Sequence, residues 1–196
     1  MTFHRGYYVS TNGIASTEQA FTETIRGAGN ALSSVSDYAK WISAILNKQP
    51  PISEKSYATL LGGHSIISSN PIEPFGSPLL YGLGWISRSY KGEMIVFHDG
   101  AQFGYGASVI LLPGRKFGLV ILGNNMNGIT AAQDILAYHL IDEELGISFD
   151  DRFDWVTRYI YKPFNNLLSC NRRTLLQGQY TITNAPRNIQ RRRKYK

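Results

Sequence analysis

The chain has 196 residues, of which 43% are hydrophobic and 17% are charged, with a formal net charge of +6. The length suits one domain with a sizeable core, and the composition excludes wholesale disorder. The single cysteine, Cys170, excludes an intrachain disulfide framework and a cysteine-rich zinc site, and no apolar run approaches the ~18 residues of a membrane span.

The positive charge lies at the C-terminal end of the sequence. Up to Asp154, the last acidic residue, the chain has 10 basic and 14 acidic residues, so its body is mildly acidic. We expect a domain at residues 1–163 and a basic, disordered tail at residues 164–196. A short lysine- and arginine-rich run is also typical of a nuclear localisation signal or a nucleic-acid arm, but the acidic body argues against a nucleic-acid partner.

A strand and then a helix are predicted near the start of the chain. Gly6–Ser10 is strand-like within a stretch rich in threonine, serine and glycine. Ser34 and Asp37 have the spacing of a capping box, and apolar residues then recur every three or four positions, which predicts a helix over residues 34–47. Pro50 ends this helix, because proline interrupts its hydrogen bonding.

A second, shorter helix and a loop follow. Ser53 is a suitable cap for a helix over Glu54–Leu61. Residues 62–80 contain three prolines, three glycines and several serines, so they predict a long surface loop.

The rest of the body alternates between strands and helices. Four strand-like runs follow the loop: Gly82–Ser89, Glu93–His98, Gly106–Leu112 and Phe117–Gly123. The last two are joined by a Pro-Gly turn and are nearly all apolar, so both of their faces need cover. Apolar periodicity predicts a helix over Ile129–Leu145, and Arg152–Tyr161 predicts a further one.

The segment Phe97–Gly106 is the richest in chemistry. It places His98 at a strand end, followed by glycine-rich backbone and a second strand. Exposed backbone N–H groups beside an imidazole can bind an oxyanion. A lone histidine at a strand end is more often structural, however, and this pattern alone leaves that alternative open.

Signals for other kinds of site are weak. The first residues lack the charged and apolar regions of a signal peptide, so a cytoplasmic location is the default expectation. The four histidines show no metal-ligand spacing, and Gly27-Ala-Gly29 is not followed by the Gly-Lys-Ser/Thr of a phosphate loop. We therefore expect neither a metal nor a cofactor.

Several blocks, in their order along the chain, resemble the serine β-lactamase and penicillin-binding-protein superfamily. Ala28–Trp41 resembles its block of glycine, leucine and serine before a helix, and Tyr81–Trp85 resembles its strand that enters the active-site sheet. His98–Gly100 is similar to the Lys-Thr-Gly motif in its His-x-Gly variant, and Gly104–Asn125 resembles the strands after that motif. The resemblance covers about residues 6–146.

The resemblance implies an α+β fold, the C-terminal part of a β-lactamase-like α/β/α sandwich with an antiparallel sheet flanked by helices. It also implies hydrolysis of an ester or amide through an acyl-serine. By position, His98 takes a cationic or hydrogen-bonding role, Gly100 lets substrate lie against the strand, and the Ala101 N–H is half of an oxyanion hole. Asp99 and Gln102 are assigned to substrate binding, and we expect the Asp99 carboxylate to repel an anionic substrate.

The departures from this superfamily shape the functional hypotheses. No lysine has a serine three residues before it, and no tyrosine has an asparagine two residues after it, so the Ser-x-x-Lys nucleophile motif is absent. We therefore expect a truncated or pseudoenzyme member that binds a small ester or amide ligand and is inactive alone. The alternative is a non-catalytic interaction module. We also expect the helices at 34–47 and 129–145 to leave the sheet partly uncovered, so that a partner chain or oligomer completes it.

Overall fold

The computed structural model describes residues 5–10, 13–17, 26–29, 31–102, 104–125 and 129–161. The chain divides after Trp155 into two units, and the second begins at Val156. The predicted tail at residues 164–196 lies outside the described residues, and the predicted domain boundary stays a prediction. In the described part of the chain, no helix has the length and apolar character that crossing a membrane requires.

The described strands form two antiparallel sheets. β1 (Gly6–Ser10) and β2 (Gly13–Thr17) pair as a hairpin, of which the sequence predicted the first strand. The larger sheet has six strands that pair in chain order: β3 (Ser65–Ser68), β4 (Leu79–Tyr81), β5 (Ile86–Tyr90), β6 (Glu93–Gln102), β7 (Tyr105–Leu112) and β8 (Phe117–Gly123). Together with the helices, this sheet gives the predicted α+β architecture.

Four α-helices lie in the described residues: α1 (Arg26–Gly29), α2 (Val35–Leu46), α3 (Glu54–Leu61) and α4 (Ile129–Glu144). The capping box is formed, since the Ser34 hydroxyl accepts a hydrogen bond from the Asp37 N–H at 3.2 Å. The Ser53 hydroxyl caps α3 in the same way, through the Ser56 N–H at 3.2 Å. Local sequence signals therefore determine where both helices begin.

Four predicted elements are corrected by the structure. The run Gly82–Ser89 becomes β5, which begins only at Ile86, and the strand predicted to end at His98 continues to Gln102. The expected loop over residues 62–80 contains β3 and most of β4, which are too short and too close to prolines to show an alternating pattern. The expected helix over Arg152–Tyr161 begins later, at Trp155, and is π-helical over Thr157–Tyr161. A 3₁₀ turn at Phe149–Asp151 precedes it in the sequence.

The sheet is covered on both faces by different helices. Alternate residues of a strand lie on opposite faces, and direct cross-strand partners share a face. We call the two faces the α2 face and the α4 face. The core of the α2 face, under α2 and α3, consists of Ile42, Ile45, Tyr57, Trp85, Val96, Val109 and Leu111. Buried residues of the α4 face and its helix include Ile95, Phe97, Ile110, Leu119, Ala137, Tyr138 and Ile141.

The central strands are buried from both sides. All side chains of Val109–Leu112 are buried, so the expectation of missing cover is wrong for this segment. Gly118 on β8 makes close packing of α2 feasible: a Cβ atom there would lie 2.5 Å from an Ile42 methyl group and 3.1 Å from a Leu46 methyl group. Whether a partner chain binds elsewhere stays a prediction.

The α4 face carries a buried aromatic and polar cluster. The rings of Tyr138 and Trp155 stack with centroids 4.1 Å apart, and the Tyr90 hydroxyl donates to the buried Asp142 carboxylate at 2.8 Å. Arg88 donates to the Tyr138 hydroxyl at 3.1 Å. Burial raises the pKa of Tyr138 to about 12. The pKa of Tyr90 is raised well above its ordinary value, mainly by burial and secondly by the hydrogen bond to Asp142. This cluster ties α4 to β5.

Candidate functional site

Strand β6 is paired on both edges along its first part and on one edge along its last part. Its pairing with β5 ends at the Ile86–Phe97 partners, whereas its pairing with β7 continues to the Gln102–Tyr105 partners. Among the described strands, residues 98–102 therefore pair on one edge only. Ile95–Phe97, just before this point, are buried, whereas His98–Ala101 are exposed. The segment predicted from its chemistry thus lies at an open strand edge.

Hydrogen bonding defines the orientation of the His98 imidazole. Its Nδ1 lies 2.7 Å from the Asp99 carbonyl oxygen, which only accepts, so Nδ1 carries a proton. Its Nε2 lies 3.5 Å from the Tyr81 hydroxyl, and the two rings meet edge to face with centroids 6.2 Å apart. In the neutral imidazole, Nε2 is consequently an acceptor that faces a hydroxyl donor.

The strand alternation separates the motif residues into two sets. His98 and Gly100 lie on the α2 face, whereas Asp99 and Ala101 lie on the α4 face. The Asp99 carboxylate accepts a hydrogen bond from the buried Ser108 hydroxyl at 2.7 Å. The Asp99 and His98 side chains therefore point to opposite faces of the strand, and the expectation that Asp99 repels an anionic substrate stays a prediction.

The remaining motif residues are Gly100, Ala101 and Gln102, and the last of them lies close to α1. A Cβ atom added at Gly100 would meet no atom of the described part of the chain within 4 Å. Ala101 is the register partner of Gly106 in β7. Gln102 is half-buried, and a Cβ atom on Gly29 of α1 would lie 2.8 Å from its side-chain oxygen. The block that precedes α2 therefore reaches the open end of β6.

The turn after β6 is held by β1. The Tyr7 N–H donates to the carbonyl oxygens of Gly104 at 3.1 Å and of Asn124 at 2.9 Å. Gly104 has a φ of +82°, and a Cβ atom there would lie 2.6 Å from the Tyr7 backbone nitrogen. Glycine is required at this position both for its backbone conformation and for the close approach of β1.

The sequence analysis missed two features of this site. It placed Tyr81 in a strand but gave it no role, and it gave no role to the contact between Tyr7 and Gly104. The only sequence signal for Tyr81 is the block that resembles the family, since its partner lies 17 positions away. Among the described residues, no group of three or more histidine, cysteine, aspartate or glutamate side chains is arranged to hold a metal ion.

Comparison with known proteins identifies one family that the chain resembles. A family model described as Beta-lactamase matches residues 2–142. Two relatives named as unguisins hydrolases, from Aspergillus campestris (strain IBT 28561) and Aspergillus violaceofuscus (strain CBS 115571), are each 36% identical to it. These matches cover 67% and 69% of this chain but 24% and 26% of the relatives, so the chain spans about a quarter of their length.

A solved structure also resembles the chain. The octameric penicillin-binding protein homologue from Pyrococcus abyssi is 27% identical to it and superposes with a TM-score of 0.54. The superposition covers 62% of this chain and 26% of that one. Together with the six-stranded antiparallel sheet, this confirms the predicted β-lactamase-like fold.

Proposed function

The chain belongs to the beta-lactamase family, and we propose that it is a truncated or pseudoenzyme member of the β-lactamase-related serine hydrolases. In this proposal β6 binds a small ester or amide ligand, and no nucleophile attacks it. The single observation that carries the proposal is the open edge of residues 98–102 beside the exposed His98.

An open strand edge suits an extended ligand. Such a ligand can hydrogen-bond, as an added strand, to the edge of residues 98–102 that no described strand pairs with. Gly100 leaves room above the strand, and His98 with Tyr81 supplies polar side-chain groups at the same place. In the proposal, the Ala101 N–H is one oxyanion donor, and Gln102 contacts the more distant part of the ligand.

The lack of turnover follows from the missing Ser-x-x-Lys motif. A serine hydroxyl is a weak nucleophile unless a neighbouring base takes its proton, so a binding strand alone does not hydrolyse an ester. The two Aspergillus relatives are named as hydrolases and are about four times as long as the part that this chain matches. We therefore assign hydrolysis to such longer proteins and not to this chain alone. In them, a strand such as β6 would hold the substrate for a nucleophile from another segment.

The alternative proposal is a non-catalytic interaction module. It is favoured by the edge strand β3, whose Ile66 and Ile67 are 67% and 51% exposed. Exposed apolar side chains on an unprotected edge are typical of a surface that pairs with another chain. The octamer named for the Pyrococcus abyssi homologue is compatible with this alternative.

Two assays test the main proposal. A chromogenic ester and a fluorophosphonate probe should show neither turnover nor labelling, and stoichiometric labelling of one serine would contradict the absence of a nucleophile. Titration with an N-acetylated dipeptide amide should shift the amide NMR signals of residues 98–102, and His98→Ala should weaken this response. Shifts confined to other segments, or no shifts at all, would contradict the assignment of the site.

Light scattering distinguishes the alternative. A concentration-dependent increase in mass that Ile66→Lys abolishes, without any ligand response at β6, would favour the interaction module. A monomer that responds to the amide at residues 98–102 would favour the binding strand.

A further inference from the structure

We infer that Tyr81 is a positioning residue for His98, one that holds the imidazole over the open end of β6 with Nε2 as the acceptor. The inference deepens the proposed function, and its consequence for ligand binding rests on that function. It is carried by the two contacts of the imidazole, to the Asp99 carbonyl oxygen through Nδ1 and to the Tyr81 hydroxyl through Nε2.

The backbone around Tyr81 is held by its neighbours on both sides. Its carbonyl oxygen accepts a hydrogen bond from the His64 N–H at 2.7 Å, and the next residue, Gly82, donates to the Trp85 carbonyl oxygen at 2.7 Å. Gly82 packs so closely against the backbone of Gly62 that a side chain there would clash. The ring of Tyr81 therefore projects from a well-fixed point, and the residue is 36% exposed.

The two contacts constrain the imidazole in complementary ways. The Asp99 carbonyl oxygen requires the proton on Nδ1, and this leaves Nε2 of the neutral ring with a lone pair. The Tyr81 hydroxyl, 3.5 Å away, donates toward that lone pair. A contact of this length tightens or opens readily when a ligand binds, as is common in sites without ligand. A ligand N–H at the open edge of β6 would then meet an imidazole whose Nε2 acceptor is already oriented.

The test uses the tautomer of His98 and does not depend on ligand binding. Long-range proton–nitrogen NMR spectra are recorded at mildly alkaline pH. The His98 signals are assigned by their loss in His98→Gln. We expect a proton on Nδ1 and none on Nε2. Tyr81→Phe keeps the ring and removes the hydroxyl, so the Nε2 resonance should move toward the value of an imidazole nitrogen without a donor. The matched control is Tyr8→Phe, on the exposed tyrosine of β1, which should leave both resonances unchanged.

The inference is overturned if Nε2 carries the proton in the wild-type chain, or if Tyr81→Phe leaves the Nε2 resonance where it was. For the dipeptide amide, Tyr81→Phe should weaken binding by about threefold to tenfold, the usual effect of one neutral hydrogen bond. Equal affinities in the two proteins would overturn the positioning role. If the wild-type chain binds no amide, the proposed function fails, and the NMR comparison alone then decides the inference.

Discussion

The two faces of the six-stranded sheet are built on different principles. On the α4 face, aromatic rings, one guanidinium group and one carboxylate pack into a buried cluster in which the Tyr90 hydroxyl reaches Asp142 at 2.8 Å. On the α2 face, a mainly aliphatic core is covered in part by the half-exposed Trp41 of α2, and along β6 it gives way to exposed residues that begin at His98. The first arrangement seals the sheet to a helix, and the second leaves a strand edge open.

Strand β6 contributes to the buried core with one part and presents exposed groups with another. Residues Ile95–Phe97 of β6 are buried on both faces, whereas His98–Ala101 of the same strand are exposed. The buried half fixes the direction of the strand, and the exposed half presents polar groups in that direction. Variants that damage the cluster on the α4 face should therefore reduce stability, and variants at the open half should change ligand binding alone.

The largest effect is expected from Trp155→Ala. This side chain is 5% exposed and stacks on Tyr138, so its loss should lower the free energy of unfolding by about 3–5 kcal/mol. Denaturant titration followed by circular dichroism measures the change. Phe149→Ala is the matched control, because that ring is 81% exposed and its removal should have almost no effect. A small change in Trp155→Ala would mean that the cluster does not seal the α4 face.

The same cluster should make stability fall at alkaline pH. Burial raises the pKa of Tyr138 to about 12, whereas an unfolded tyrosine has a pKa of about 10. The unfolded chain therefore loses this proton first, and the free energy of unfolding declines between about pH 10 and 12, by on the order of 2 kcal/mol. The pKa of Tyr90 is raised too, which adds to the decline.

Denaturant titrations over this pH range measure that decline. Tyr138→Phe removes one of the two titrating groups, so its stability should depend less steeply on pH than that of the wild-type chain. An equally steep decline in Tyr138→Phe would show that other groups are responsible. Tyr8→Phe, on an exposed tyrosine, should leave the slope unchanged.

The cover of the α2 face should be more tolerant of change. Trp41 is 46% exposed and stacks on the buried Trp85 with ring centroids 5.5 Å apart. Trp41→Ala should cost roughly 1 kcal/mol, because it removes one stacking contact and little buried area. Denaturant titration measures this cost, and a loss as large as that of Trp155→Ala would erase the contrast between the two faces.

Local patterns predicted most of the fold. The range predicted for β8, Phe117–Gly123, and that of α3, Glu54–Leu61, agree with the structure residue for residue, because apolar runs, caps and turns delimit them. β3 and β4 were missed because strands of four and three residues have too few positions to show alternation. Their order in the sheet depends on pairing between distant segments, which no local pattern encodes.

The candidate site was predictable only in part. His98 was found from a predicted strand end and from the family resemblance, although β6 in fact continues to Gln102. The placement of the Asp99 and His98 side chains on opposite faces follows from the two-residue period of a strand. The contacts of Tyr81 with His98 and of Tyr7 with Gly104 join segments that are far apart in the sequence. Only the folded chain brings these groups together.

The smallest effect on stability, and the sharpest test of the contrast within β6, is expected from Gly100→Val. A Cβ atom at Gly100 would meet no atom within 4 Å, so valine should change the free energy of unfolding by less than about 0.5 kcal/mol. Its methyl groups would nevertheless occupy the space beside His98 on the α2 face, so the amide response of residues 98–102 should disappear. Gly104→Val is the opposite control: its φ of +82° and the nearby Tyr7 nitrogen make valine strained and crowded, so this variant should unfold at lower denaturant concentration. A stable Gly100→Val chain that still binds the amide would show that the ligand does not lie against this part of β6.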